Sequence, residues 1–172
     1  RITPGYSGDS GMTTASAKSA WKHWIQAGII ILVLTLLDQV SKHLVLTYLK
    51  GENDISLISG VLQLRYIENR GMAFGLFEGK IPVFVILCLL FFCLFVYVYA
   101  RIPRTRYYLP LAVSSVIMVS GALGNFIDRV FRGYVVDFIY FSLIDFPVFN
   151  MADIYVVCSG ILLVLLVCFK YR

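Results

Sequence analysis

Four long apolar stretches divide the chain, at residues 24–49, 81–100, 107–127 and about 149–169. A helix needs roughly 20 apolar residues to cross a hydrocarbon core of about 30 Å, so each stretch is long enough. The pattern therefore predicts an all-α integral membrane protein with four transmembrane helices. A composition of 59% hydrophobic and only 15% charged residues agrees with this prediction. We expect residues 12–172 to form one membrane-embedded domain.

The first 11 residues differ from the rest. They are polar and rich in Gly and Ser, and Met12 follows them as a plausible native start. Such a segment is typical of an expression scar, and we leave it out of the fold prediction.

A short segment between the first two spans has a different period. Apolar and polar residues alternate over Leu62–Tyr66, as in a half-buried strand, and Asn69-Arg70-Gly71 offers a turn before the apolar run Met72–Phe77. We predict a small β element and a loop there, on the extracytoplasmic side.

The basic residues predict the orientation. With both termini in the cytoplasm, the inner flanks (1–23, 101–107 and 170–172) hold eight Lys and Arg in 33 residues, and the outer loops (50–80 and 128–148) hold six in 52. This bias favours cytoplasmic termini. It also explains the net charge of +5 without a nucleic-acid partner.

Charges inside a span are costly and point to function. Asp38 lies about 21 Å from the inner end of the first span, and Lys42 is one helical turn further out. The i, i+4 spacing places them on one face, where Lys42 could also reach the outer interface. Two interpretations stay open: a structural ion pair, or direct contact with a substrate.

The remaining near-membrane polar residues gather at the outer interface. Asp153 lies about 6 Å below the outer end of the last span. Asn125 closes the third span on that side, and Asp128, Arg129 and Asp137 follow in the outer loop. Scattered structural pairs would not share one depth, so this interface is the candidate site.

The residue inventory excludes several kinds of chemistry. His23 and His43 have no zinc-ligand spacing, and the chain contains no G-x-S-x-G motif or phosphate loop. The four cysteines lie in apolar runs, where we expect buried packing. Carboxylates are the remaining candidates for catalysis. Two carboxylates that share a proton can activate a water and protonate a carbonyl or a leaving amine, without a metal or cofactor.

Asp137 and Asp153 are the predicted pair, 16 residues apart. Asp153 also stands three residues after Asn150, as in a capping box, so it could serve only the helix N-terminus. The two roles are compatible, and the helix dipole favours an ionised Asp153. We hypothesise that Asp153 activates the water and that Asp137 holds the shared proton.

Five ordered segments together resemble the lipoprotein signal peptidases, also called type II signal peptidases. They are Asp38-Gln39-Val40-Ser41-Lys42, Glu68-Asn69-Arg70-Gly71-Met72-Ala73-Phe74-Gly75, Gly121-Ala122-Leu123-Gly124-Asn125-Phe126-Ile127-Asp128-Arg129, Val135-Val136-Asp137-Phe138 and Phe149-Asn150-Met151-Ala152-Asp153. Met72 is a departure, since the family pattern more commonly has Ala at this position.

The resemblance implies a metal-independent aspartyl endopeptidase of the bacterial inner membrane. Such an enzyme removes the signal peptide of a diacylglyceryl-modified prolipoprotein just before the lipidated cysteine, and globomycin-type cyclic peptides inhibit it. We expect a monomer among membrane lipids. By position Asp137 and Asp153 match the catalytic pair, and supporting or substrate-binding roles fall to Asn69, Gly71, Asn125, Arg129, Asn150, Asp38, Lys42 and Asp128.

Three questions stay open at this point. Arg129 could pair with Asp128 or Asp137 instead of touching substrate. A proton-coupled transporter component also has intramembrane acids, although two of the four spans contain no charge and no relay crosses the bilayer. A noncatalytic assembly subunit would tolerate the loss of both aspartates.

Overall fold

Four long helices form the frame of the computed structural model, which describes residues 11–71 and 81–171. They are α1 (Gly11–Tyr48), α2 (Ile81–Arg101), α3 (Leu109–Phe131) and α4 (Met151–Leu165), the last continued by a π-helical turn, Leu166–Lys170. Within the described ranges, these helices include four segments long and apolar enough to cross a membrane. The predicted four-helix membrane architecture is confirmed.

The third helix is longer than its apolar stretch. It continues past residue 127 to Phe131 and so includes Asp128 and Arg129, and their predicted placement in a loop is wrong. The helix can continue because Asp128 is buried against two cations, Lys42 and Arg132. Gly133 then turns the chain at a positive φ of 79°, a conformation that costs glycine little.

A three-stranded antiparallel sheet lies at one end of the bundle. Its strands are β1 (Ile55–Ile58), β2 (Leu62–Asn69) and β3 (Val135–Phe141), in the order β1-β2-β3. Strand β2 confirms the predicted β element. Strand β3 was missed, and the placement of Asp137 in a loop was wrong. Val135–Phe138 is buried throughout, so this part of β3 lacks the polar alternation of a half-exposed strand.

The strand register brings Asn69 close to Asp137. Asn69, at the end of β2, pairs with Val135, and Ile67 pairs with Asp137. The last residue of β2 therefore lies two positions along the ladder from Asp137. A bridge between Ile139 and Phe149 draws the start of α4 to the same sheet.

Helices α3 and α4 pack closely because α3 has two glycines at the contact. A Cβ at Gly121 would lie 2.4 Å from the Ala152 carbonyl oxygen, and one at Gly124 would lie 2.4 Å from Asp38 Oδ2. Glycine at these two positions thus lets α3 approach α4 and α1 closely.

The opposite end of the bundle brings together the early part of α1, the α2–α3 connection and the end of α4. The Tyr99 hydroxyl donates to the His23 carbonyl at 3.4 Å, and the Tyr107 hydroxyl donates to the Lys170 carbonyl at 2.5 Å. This end also includes Arg101, Arg104 and Arg106, and it lies at the opposite end of the bundle from the sheet.

Candidate active site

Asp137 is a buried carboxyl group held by two amides. It lies on β3 with 3% of its surface exposed. Asn69 Nδ2 donates to Oδ2 at 2.9 Å, and Asn150 Nδ2 donates to Oδ1 at 2.6 Å. Both oxygens are thereby fixed in position.

The surroundings of Asp137 favour its protonated form. Burial raises its pKa to about 6, and the negative charge of Asp153 acts in the same direction. The amides of Asn69 and Asn150 oppose the shift, since they stabilise the carboxylate. Asp137 therefore retains its proton to a pH about two units higher than an ordinary aspartate.

Asp153 lies in the first turn of α4 and forms the predicted capping box. Its backbone N–H donates to Asn150 Oδ1 at 3.0 Å, and its Oδ2 accepts from the Asn150 N–H at 3.0 Å. Its Oδ1 accepts from Asn125 Nδ2 at 2.8 Å. Both of its carboxylate oxygens are therefore held by hydrogen bonds.

One residue connects the two acids. The Asn150 side chain donates to Asp137, accepts from the Asp153 backbone, and also donates to Asn125 Oδ1 at 3.2 Å. Asn150 is fully buried. The sequence-predicted residues Asn69, Asn125, Asn150, Asp137 and Asp153 thus form a single hydrogen-bonded group.

A buried ion cluster lies beneath this group. Lys42 Nζ is 2.8 Å from Asp38 Oδ2, 3.0 Å from Asp128 Oδ2 and 2.9 Å from Asn125 Oδ1. The three charged side chains are fully buried. The structural ion pair is therefore the interpretation that the contacts favour for Asp38 and Lys42. The expectation that Lys42 reaches the interface is wrong, since two carboxylates hold it inside the bundle.

The two carboxylates of this cluster also fix backbone. Asp38 Oδ1 accepts from the Ala152 N–H at 3.0 Å, and Asp128 Oδ2 accepts from the Val136 N–H at 3.1 Å. Ala152 immediately precedes Asp153, and Val136 immediately precedes Asp137. The cluster therefore positions the chain next to each candidate catalytic acid.

Arg129 forms an ion pair with neither Asp128 nor Asp137, so both of those alternatives are wrong. Its Nη2 donates to the Gly71 carbonyl at 2.9 Å, and its guanidinium lies 4.1 Å from the centre of the Phe84 ring. Gly71 is buried and its N–H donates to Asn69 Oδ1 at 3.1 Å. Arg129 thus connects α3 to the end of β2. Met72, Ala73 and the rest of the apolar run to Phe77 lie outside the described residues.

Sequence reasoning missed two members of the cluster, Gln39 and Arg132. Arg132 forms an ion pair with Asp128 and donates to Gln39 Oε1 at 3.0 Å. Gln39 Nε2 donates to Asp128 Oδ1 at 3.1 Å and to the Gly124 carbonyl at 3.1 Å. The i, i+4 spacing of Asp128 and Arg132 was the available signal, and it would have required extending α3 by one turn.

Other reactive groups lie elsewhere. Cys88 is buried, whereas Cys93, Cys158 and Cys168 are exposed, so the expectation of burial holds for one cysteine only. The outward faces of these helices are apolar because lipid surrounds them, and a thiol is tolerated there. Across residues 11–71 and 81–171 no three His, Cys, Asp or Glu side chains are placed to share a metal ion.

Comparisons with known proteins identify the family of the chain. A family described as signal peptidase (SPase) II matches residues 30–169. A lipoprotein signal peptidase from Syntrophomonas wolfei is 45% identical over 137 residues, 79% of this chain and 88% of its own length. One from Clostridioides difficile is 40% identical over 141 residues, 82% of this chain and 93% of its own.

Solved structures agree as well. A bacterial membrane enzyme determined by the in meso method at 2.3 Å superposes with a TM-score of 0.76 at 33% identity, covering 84% of this chain and 88% of that one. The transporter alternative finds no support in these relatives. By its sequence and by its fold, the chain belongs to the signal peptidase II family of bacterial membrane proteases.

Proposed function

We propose that this protein is an aspartyl endopeptidase that removes the signal peptide from diacylglyceryl-modified prolipoproteins, with Asp137 and Asp153 as its catalytic pair. The observation that supports the pairing most directly is Asn150, which is bonded to both acids. The family supports the reaction class, and the hydrogen bonds join the two carboxyl groups in one polar group.

The proposed reaction uses one water. Asp153, at the start of α4, acts as the base and removes a proton from the water as the water oxygen attacks the scissile carbonyl carbon. Asp137 donates its proton to the carbonyl oxygen, and a tetrahedral gem-diol forms. When the C–N bond breaks, the leaving amine takes the proton that Asp153 received, and Asp137 recovers its own from the diol hydroxyl.

The supporting residues have distinct tasks in this proposal. Asn69 and Asn150 hold the two oxygens of Asp137, and Asn125 holds Asp153. Arg129 keeps Gly71 beside the group, where the Gly71 turn would cover the substrate backbone. Asp38, Lys42 and Asp128 act through the backbone of residues 136 and 152 and need not touch substrate.

The lipid anchor of the substrate explains the position of the site. A diacylglyceryl group holds the scissile bond at one depth near the headgroups, so the substrate reaches the enzyme by lateral diffusion. We place the sheet end of the bundle at the outer face of the bacterial inner membrane and both termini in the cytoplasm, as the basic residues favour. Globomycin-type cyclic peptides are the inhibitors we expect, and a monomer is the expected active form.

The test is cleavage of a synthetic lipidated prolipoprotein by purified enzyme in detergent or proteoliposomes. We expect Asp137→Asn and Asp153→Asn each to abolish cleavage, and a metal chelator to leave the wild type active. Asp145→Asn is the matched control, because Asp145 is exposed, its carboxylate accepts from the Tyr140 hydroxyl outside the site, and its positive φ is one that Asn tolerates. Cleavage by either site variant at the wild-type rate would refute the catalytic pair.

A further inference from the structure

A cavity of about 510 Å³ lies at the end of the bundle remote from Asp137. It opens between α1, α3 and the α2–α3 connection, and cavities of this size commonly hold small ligands. Its deeper wall is apolar and its mouth is basic. The residues that define these two parts are Ala27, Ile30, Ala112 and Val116 in the wall, and Arg104 and Arg106 at the mouth.

The two arginines have no acidic partner among the described residues, where the ion pairs involve other cations. The sequence explains this, because residues 10–37, 79–127 and 154–172 contain no Asp or Glu. Lys22, Arg101 and Lys170 add to the same positive field. An anion at the mouth would therefore meet no competing carboxylate from these segments.

Arg104 is already held in place. Its Nη2 donates to the Tyr99 carbonyl at 2.8 Å, and its guanidinium lies 4.4 Å from the centre of the Tyr99 ring. Tyr99 is 4% exposed and packs edge-on against Trp24 at 4.8 Å. A guanidinium fixed in this way loses little freedom when it binds an anion, and its remaining N–H groups suit a phosphate.

The side of the cavity suits a hydrocarbon chain. Ile29 and Leu109 line it and are 56% and 55% exposed, so they present apolar surface to the surrounding lipid. Trp21 and Trp24 lie nearby on α1 and are partly exposed, as aromatic side chains at a membrane interface usually are. A ligand that matches both parts needs one anionic group and at least one long apolar chain.

We propose that this cavity binds one anionic phospholipid of the adjoining leaflet, with its phosphate at Arg104 and Arg106 and an acyl chain between α1 and α3. This site is separate from the aspartates and does not depend on the proposed function. The attraction of an anionic headgroup to two arginines predicts about a tenfold preference for an anionic over a zwitterionic lipid.

The test is native mass spectrometry of the delipidated full-length protein with dioleoyl phosphatidylglycerol or dioleoyl phosphatidylcholine. We expect the wild type to retain one phosphatidylglycerol with the stated preference. Arg104→Gln/Arg106→Gln should remove the preference and Arg106→Gln alone should reduce it. Arg101→Gln is the matched control, because Arg101 is at the same end but bonds the Tyr97 carbonyl and does not line the cavity.

Two further measurements distinguish the ligand and the site. Ala112→Phe should fill the apolar wall and reduce retention of both lipids, and a melting curve for each variant shows that it is folded. Inorganic phosphate at millimolar concentration should not displace the lipid, since it has no chain for the wall. Equal retention of the two lipids by the wild type, displacement by phosphate, or a preference that survives in the folded double variant would each overturn the proposal.

Discussion

Asp137→Asn is expected to change stability and activity in opposite directions, and the stability change should depend on pH. The substitution replaces a buried carboxyl group with a neutral amide of nearly the same shape. Removal of the carboxyl group eliminates the proposed proton donor, so cleavage is lost. Stability responds differently, because the native environment opposes ionisation of this group.

The magnitude follows from the pKa of Asp137, which burial raises from 3.8 to about 6. Between these pH values the native state binds more protons than the unfolded state, so stability falls as pH rises through this window and is level above it. The wild type loses about 3 kcal/mol of folding stability across this pH window. In the variant, Asn69 or Asn150 faces an N–H instead of an oxygen, which costs about 1 kcal/mol. Above pH 6 the variant should therefore be more stable by about 2 kcal/mol.

The assay is thermal unfolding of both proteins in the same detergent from pH 4.5 to pH 8. For a chain of this size, about 2 kcal/mol corresponds to about 4–8 °C in Tm. The Tm of the variant minus the Tm of the wild type should grow up to about pH 6 and then stay constant. The exposed Asp145→Asn control should show no such dependence on pH. A difference that is the same at all pH values would refute the reasoning that burial of Asp137 opposes its ionisation.

The remaining predictions concern the residues behind the site. Lys42→Met should destabilise the protein by about 3–5 kcal/mol, because it leaves Asp38 and Asp128 buried without their shared cation. A melting curve measures this, and the control Lys50→Met, at a half-exposed surface ion pair, should change the Tm little. An unchanged Tm for Lys42→Met would contradict the stabilising role of the cluster. Gly124→Ala should lower both Tm and the cleavage rate, because its Cβ would lie 2.4 Å from Asp38 Oδ2; full activity at the wild-type Tm would show that the three helices can separate without consequence.

The candidate site was largely predictable at the level of residue identity. The shared depth of the polar residues singled out Asn125, Asp137 and Asp153, and the resemblance to a family added Asn69 and Asn150. The capping box was also predictable, since Asn150 and Asp153 interact within one helical turn. The pairing of Asp128 with Arg132 instead of Arg129 was not predictable, because it depends on where α3 ends.

The four helices follow from the amino-acid sequence alone, since an apolar run of about 20 residues in lipid satisfies its backbone groups only as a helix. The sequence also shows which polar residues lie within or at the ends of the apolar stretches. Three features became visible only in the folded protein: Val135–Phe141 is a strand, Lys42 remains inside the bundle, and Asn150 joins two acids from different elements. The physical reason is that these outcomes depend on contacts between residues distant in sequence. Those contacts arise from the close approach of α3 and α4 at glycine and from the pairing of β2 with β3. The local periodicity of the sequence does not predict them.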